Sequence, residues 1–200
     1  MNRATIATVV EGHGEVAAVP VLLRRMAAQI VPDTWVEVPR PYRVGRGSLL
    51  APYGLERAVA AVAEHGGPAT GVLVLLDADD DCPAELGPEL LARAHAARPD
   101  RPGSVVLANR EFEAWLVAAA PSLRGRRGLA TDLTVPVDAE QRRDCKGWLS
   151  EHRTDGRSYK PASDQAALTA VFDLQLARKN SRSFDKLWRD VERLLREAAA

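Results

Sequence analysis

Residues 71–81 read GVLVLLDADDD and decide the fold. Residues 71–76 are apolar apart from the glycine, and polar residues do not alternate with them. An uninterrupted run of this length is typical of a strand buried on both faces, as in a parallel sheet covered by helices. The run ends at Asp77, so acidic residues follow the strand directly.

Three further strands are predicted, and helical patterns alternate with them. The strands cover residues 4–10, 34–38 and 104–108, and the helices cover 15–30, 54–65, 84–97 and 111–119. The helix at 54–65 is expected to end at Gly66-Gly67, because glycine commonly follows the last turn of a helix. This alternation predicts an α/β, Rossmann-like, doubly wound fold with a mainly parallel four-stranded sheet.

The rhythm changes after residue 120. The next stretch, 121–163, is rich in Arg, Gly, Pro and Asp and predicts loops with one short helix near 142–151. Two C-terminal helices are expected at 163–178 and 183–198, with serines 163 and 183 as their N-caps. We therefore expect an α/β core at 1–120, with the helices of 121–200 packed on it.

Composition limits the function classes. The chain has 200 residues, 46% hydrophobic and 27% charged, which suits one globular domain. No apolar run is long enough for a bilayer and no signal peptide is recognisable, so we expect a cytoplasmic protein without a membrane partner. Two distant cysteines exclude a disulfide framework and a structural zinc site.

The net charge of zero hides an asymmetry between the two halves. Residues 1–100 carry a net charge of −4 and residues 101–200 carry +4. An acidic half beside a basic half suits a cation site next to a surface that binds a polyanion. Chance accounts for an offset of this size equally well.

Acidic residues follow three of the predicted strands, namely Glu11, then Asp77 and Asp79, then Glu111 and Glu113. The carboxyl ends of parallel strands meet at one edge of a sheet, and neighbouring strands lie about 4.8 Å apart. Carboxylates there can share a cation, and oxygen ligands suit Mg²⁺ or Mn²⁺. In an extended segment the Asp77 and Asp79 side chains would project to the same side.

Other interpretations of these motifs are weaker or remain open. A Walker A loop is absent, the glycines after the first strand lack the third glycine of a dinucleotide fingerprint, and DADDD lacks the glycine and distal glutamate of an EF-hand. Acidic loop residues are also often simply solvated.

Two glutamates and an aspartate pair carry a family resemblance. Glu11 lies in E-G-x-x-E after the first strand, and Asp77 and Asp79 form D-x-D after a later one, which resembles the Toprim domain of topoisomerases, primases and OLD-type nucleases. The segments VVEGHGE, VLLDADDDCP, REFEAWL, YKPASDQ and SRSFDKLW more closely resemble a bacterial Toprim-like family, domain of unknown function 4276.

This resemblance implies a Toprim-like fold and an Mg²⁺-dependent site acting on phosphodiesters of DNA or RNA. It also implies a nuclease of anti-phage or DNA-maintenance systems that works with an ABC/SMC-like ATPase. Glu11 matches the Toprim glutamate, and Asp77 and Asp79 match its aspartate pair. Glu111 and Glu113 match the acidic helix start of the closer family.

The nuclease hypothesis gives each group a role. Asp77, Asp79 and either Glu111 or Glu113 would hold one or two Mg²⁺ (or Mn²⁺) ions, and Glu11 would complete the metal shell or act as general base.

Basic residues would face the phosphates. Lys146 and Lys160 are candidates for the catalytic cation that faces the reacting phosphate. Arg43 and Arg46 could grip the nucleic-acid backbone.

Two alternatives stay open. The chain could be a non-catalytic Toprim-like subunit that binds nucleic acid or regulates an ATPase, or it could transfer phosphoryl or nucleotidyl groups. A homo-oligomer is also compatible with the sequence.

Overall fold

The computed structural model describes residues 2–64, 67, 70–137 and 139–199. The strands are β1 (Asn2–Val10), β2 (Thr34–Glu37), β3 (Tyr42–Arg43), β4 (Thr70–Asp77) and β5 (Gly103–Ala108). The α-helices are α1 (His13–Ile30), α2 (Arg46–Leu50), α3 (Gly54–Ala63), α4 (Pro83–Ala97), α5 (Glu113–Ala118), α6 (Cys145–Glu151), α7 (Ala166–Thr169), α8 (Leu174–Asn180) and α9 (Arg182–Ala199). The predicted end of the 54–65 helix at Gly66-Gly67 lies partly outside the described residues.

The sheet is parallel, with strand order β2-β1-β4-β5 and β3 paired to the edge of β1. The prediction of four strands is therefore wrong by one. The fifth strand, β3, has two residues and lies in a stretch of proline and glycine where no alternation reveals it. The same stretch contains α2, where the sequence predicts only a loop.

Side chains of β4 alternate between two apolar layers. Leu73 and Leu75 pack with the helices α1 and α9 on one face. Val72, Val74 and Leu76 pack with α3 and α4 on the other. Helices therefore cover both faces of a parallel sheet, and the predicted doubly wound α/β fold is confirmed.

Helix α9 completes one face of the sheet. Its apolar stripe is fully buried, and it comprises Leu187, Val191, Leu194 and Leu195. A Cβ at Gly71 would lie 3.3 Å from the Cβ of Leu194, so the helix meets the strand at close range. Phe184 at its start packs against Trp115, with ring centroids 5.4 Å apart.

The helix boundaries after residue 160 differ from the prediction. The expected helix at 163–178 is instead a π-helical turn (Pro161–Gln165), α7 and α8, and Asp173 caps α8 by accepting from the Gln175 and Leu176 amides. The N-cap of α9 is Ser181, whose Oγ accepts from the Phe184 amide at 3.0 Å. Ser183 instead accepts from Trp115 Nε1 at 2.9 Å, inside the core.

Among the described residues, no helix has the length and apolar content that crossing a membrane would need.

Candidate functional site

The acidic groups predicted at the strand ends lie at one edge of the sheet. Glu11 directly follows β1, and Asp77 is the last residue of β4. Glu111 and Glu113 follow β5, and Glu113 begins α5. Because β4 lies between β1 and β5, the three groups come from adjacent strands. Ligand sites of open parallel sheets form at this edge.

Glu15 shapes the turn that carries Glu11. Its Oε2 accepts from the backbone N–H of Glu11 at 3.0 Å and of Gly12 at 3.1 Å, which ties the first turn of α1 to the end of β1. Glu15 is only 4% exposed. Burial raises its pKa to about 7, with smaller increases from Glu11 and Glu113, against the lowering effect of the two backbone hydrogen bonds.

Asp77 joins the end of β4 to the start of α5. Its Oδ1 accepts from the Phe112 amide at 2.8 Å. Burial raises the pKa of Asp77 well above its ordinary value, and the charges of Glu15 and Glu113 raise it further. Lys146 opposes this rise. Carboxyls from three elements therefore crowd one another electrostatically.

Lys146, on α6, neutralises the third acidic group. Its Nζ lies 2.9 Å from Oε2 of Glu113 and also forms an ion pair with Glu111. Glu113 is 1% exposed, and its Oε1 accepts from the Tyr159 hydroxyl at 3.0 Å. Burial lowers the pKa of Lys146, but Glu113 and Glu111 outweigh it and leave the pKa above its ordinary value.

Arg46, at the start of α2, is the second cation among these groups. It forms ion pairs with Asp81, with Asp79 at 3.6 Å and with Glu11 at 3.8 Å. It also donates to the backbone carbonyl of Asp77. Glu11, Asp77, Asp79 and Asp81 are called the acidic cluster below. Arg46, predicted to grip phosphate, therefore lies within this cluster.

The extended geometry predicted for the Asp77–Asp79 pair is wrong. Strand β4 ends at Asp77, and Asp79 has a φ of +50°, so the segment is a turn and not an extended chain. Both residues nevertheless line one cavity of about 210 Å³, together with Glu111 and Lys146. Asp79 reaches this cavity from a turn, where the prediction relied on strand alternation.

The carboxylate oxygens at this edge of the sheet are ligands that suit a hard divalent cation, but in this structure the side chains do not converge on one point. Glu11 Oε2 is buried and has no hydrogen-bond partner among the described residues. Burial raises the pKa of Glu11, Arg46 lowers it and Asp79 raises it. Within the described parts of the chain, no three His, Cys, Asp or Glu side chains lie close enough together to hold a metal ion. Arg46 and Lys146 supply the positive charge instead.

Of the two predicted residues not yet placed, Lys160 lies away from the carboxylates and Arg43 lies beside Glu11. Lys160 is exposed and lines a different cavity with Arg127, Arg153 and Arg157, so the structure does not bring it to Asp77. Arg43 lies beside Glu11, with Nη1 3.5 Å from its backbone oxygen. Sequence reasoning missed Glu15 and Tyr159 as members of the site. The second glutamate of E-G-x-x-E was the available signal for Glu15.

A family model described as a domain of unknown function (DUF4276) matches residues 10–192. Because the match covers most of the 200 residues, the chain belongs to this family. The matched region includes every acidic residue of the site and Lys146. No curated protein and no solved structure matches the chain.

Proposed function

We propose that this member of the DUF4276 family is a Toprim-type, Mg²⁺-dependent nuclease that hydrolyses phosphodiesters of DNA or RNA. The observation that carries the proposal is the crowding of Glu11, Glu15, Asp77 and Glu113 at the carboxyl ends of adjacent strands. Burial raises the pKa values of all four, and the charge of Glu113 raises those of Glu15 and Asp77 further, so holding them together costs free energy. Such arrangements are concentrated at functional sites.

Asp77 and Asp79 are the residues that would hold Mg²⁺, and Glu11 lies beside them through their shared neighbour Arg46. Their oxygens suit the ion, Glu11 Oε2 has no hydrogen-bond partner among the described residues, and Asp77 and Asp79 share a cavity. A bound Mg²⁺ would supply charge stabilisation at the phosphate and a more acidic water. The E-G-x-x-E and D-x-D positions of these residues support the Toprim assignment.

Two side chains would take part in the hydrolysis itself, Glu11 as the general base and Lys146 as the cation that faces the phosphate. In hydrolysis a water oxygen bonds to phosphorus and loses a proton, while the bond from phosphorus to the leaving oxygen breaks and that oxygen takes up a proton from solvent. Glu11 accepts that proton, since its raised pKa makes it a better base than an ordinary glutamate. Lys146, which lines the cavity of Asp77, offsets negative charge that develops on the phosphate.

Under this proposal nucleic acid is the substrate. The resemblance to Toprim-type nucleases is what supports an anti-phage or DNA-maintenance pair with an ABC/SMC-like ATPase.

One observation favours a second candidate, a non-catalytic subunit that binds nucleic acid or regulates an ATPase. Lys146 already neutralises Glu111 and Glu113, and Arg46 already pairs with Glu11 and Asp79. A site whose charges are balanced by its own side chains can persist without a metal ion.

A cleavage assay separates the two candidates. Purified protein is incubated with plasmid, single-stranded DNA or RNA in Mg²⁺ or Mn²⁺, beside Asp77→Asn and Glu11→Gln. The side-chain oxygen of an asparagine can still accept from the Phe112 amide, so Asp77→Asn removes charge with little loss of structure. We expect metal-dependent cleavage by the wild type and a loss of at least about 100-fold in both variants.

The matched control is Glu151→Gln, an exposed glutamate on α6, which should cleave like the wild type. Intact substrates with both metals, or equal cleavage by Asp77→Asn and wild type, would contradict the nuclease proposal.

A further inference from the structure

The edge of β1 has a gap in its pairing close to Glu11. Strand β2 pairs as far as Thr5 with Glu37, and β3 resumes with Val9 opposite Tyr42. Between these pairs run residues 38–41, VPRP, where two prolines lack the N–H that a ladder needs. The edge chain therefore leaves β1 beside Ala7 and Thr8 and rejoins it next to the acidic cluster.

A cavity of about 720 Å³ opens at this gap, which is within the size range of small-molecule sites. Its walls are formed by β1, the start of α1, the 38–41 segment and α3, and much of the lining is apolar, including Val16, Pro39 and Val62. A largely apolar cavity of this size suits a flat ligand.

The charged groups of the cavity select an anion. Arg40 and Arg43 line it, and none of its described lining residues is acidic. Arg40 is exposed where it lines the cavity, so its charge can reach a ligand. Arg43 connects the cavity to the acidic cluster through its contact with the Glu11 carbonyl.

Tyr42 adds an aromatic surface. It lines the same cavity, and 49% of its surface is exposed although it belongs to the sheet. Exposed aromatic rings beside basic side chains are the usual means by which proteins bind single-stranded nucleic acids, because bases stack on the ring while cations hold the backbone.

We propose that this cavity binds one unpaired nucleobase of a single-stranded nucleic acid. Tyr42 stacks on the base, and Arg40 and Arg43 hold the adjoining phosphates. The proposal rests on the nuclease function above and narrows its substrate class, because a base held here leads the strand past Glu11. A base inside a duplex is stacked and paired and cannot enter a cavity of this kind.

A binding assay without metal tests the cavity independently of cleavage. Fluorescence anisotropy in EDTA measures the Kd of a labelled single-stranded oligonucleotide, a duplex of the same sequence and an oligonucleotide of abasic sites. We expect the single strand to bind at least about tenfold more tightly than the other two. Equal binding of the abasic strand would overturn the proposal.

Variants locate the binding in the cavity. Tyr42→Ala should weaken single-strand binding by about tenfold, the effect of losing one stacked base. Trp35→Ala is the matched control, because Trp35 is an exposed aromatic residue of β2 (66% exposed) that does not line the cavity. Equal Kd values for Tyr42→Ala and wild type would contradict the proposal.

Competition distinguishes a nucleotide within a strand from a free nucleotide. A free nucleoside monophosphate should compete poorly with the oligonucleotide, and competition at equal affinity would show a small-nucleotide site instead and contradict the proposal. Strand binding that depends on Tyr42, without cleavage in Mg²⁺, would contradict the nuclease function and leave the base-binding cavity standing. Cleavage in Mg²⁺ together with strand binding that does not depend on Tyr42 would support the nuclease function and contradict the base-binding cavity.

Discussion

Nζ of Lys146 lies 2.9 Å from Oε2 of Glu113, a carboxylate on a residue that is 1% exposed. The lysine side chain itself is 40% exposed, so the pair joins a buried anion to a cation at the surface. Burial raises the pKa of Glu113, whereas Lys146 and the Tyr159 hydroxyl lower it. Glu113 therefore depends on Lys146 for its charge.

Replacing that lysine should destabilise the fold. Lys146→Met leaves Glu113 buried without its cation, which should cost about 2 kcal/mol in the free energy of unfolding; the exposure of the lysine keeps the value below that for a fully buried pair. Loss of the lysine raises the pKa of Glu113 further, and a raised carboxyl pKa removes stability as pH rises above 4.5. The deficit measured by urea unfolding should therefore be larger at pH 8 than at pH 5.

Lys179→Met is the control, because Lys179 is an exposed lysine of α8, and we expect a change within about 0.5 kcal/mol. The double variant Lys146→Met/Glu113→Gln should recover most of the loss. An unchanged unfolding free energy in Lys146→Met would refute the dependence of Glu113 on this ion pair.

Glu15 should make stability fall as pH rises from about 4.5 to 7. Its pKa is 4.5 when unfolded and about 7 when folded, so the folded state binds more protons over this interval and unfolding becomes easier as pH increases. The whole shift corresponds to at most about 3 kcal/mol. Glu15→Gln keeps an acceptor for the Glu11 and Gly12 amides and should flatten this slope.

Urea unfolding between pH 4.5 and 8 measures the slope, and Glu151→Gln should leave it unchanged. A Glu15→Gln profile that parallels the wild type would show that burial does not raise the pKa of Glu15.

Arg46 should be replaceable by a divalent ion if the acidic cluster binds one. Arg46→Met removes the cation shared by Glu11, Asp79 and Asp81 and should cost about 1–2 kcal/mol in EDTA. Millimolar Mg²⁺ should restore part of that loss, because an ion that binds only the folded state stabilises it. Thermal unfolding with and without Mg²⁺ measures both effects.

The control for Arg46 is Arg93→Met, which breaks an ion pair with Glu56 at 2.7 Å outside the cluster. Mg²⁺ should not restore stability there. Equal effects of Mg²⁺ on the stability of the two variants would show that Mg²⁺ does not act at the acidic cluster.

Gly14 is expected to tolerate no side chain. A Cβ there would lie 2.0 Å from Oε1 of Gln165 and 2.9 Å from the backbone oxygen of Pro161, and the backbone cannot give way cheaply. Gly14→Ala should therefore destabilise by about 2 kcal/mol, although alanine is normally the better helix residue by about 1 kcal/mol.

The matched substitution is Gly47→Ala in α2, where nothing lies within 4 Å of the added Cβ, and it should be neutral or stabilising. Urea unfolding of both variants measures the difference. A Gly14→Ala protein as stable as the wild type would show that the 161–165 turn does not rest on the start of α1.

The sequence predicted the sheet well because burial leaves a strong pattern. The run at 71–76 is apolar on every position since both faces of β4 are covered, and the strand was predicted within one residue at each end. The positions of Glu11, Asp77 and Glu113 at one edge followed from the rule for parallel strands. Strand β3 was missed because two residues show no alternation.

The partners of the carboxylates could not be predicted in the same way. Lys146 and Tyr159 lie in a stretch without hydrophobic period, and their contacts with Glu113 depend on tertiary packing. Asp79 has a positive φ where an extended segment was expected. The sequence DADDD has no glycine or other residue that indicates a left-handed conformation at this position.

The late position of α9 in the chain affects how the protein is made. Strands β1, β4 and β5 leave the ribosome before the helix that covers Leu73, Leu75 and Val106 has been synthesised. A nascent chain therefore carries an open hydrophobic surface until translation reaches the last turns, when α9 can close it.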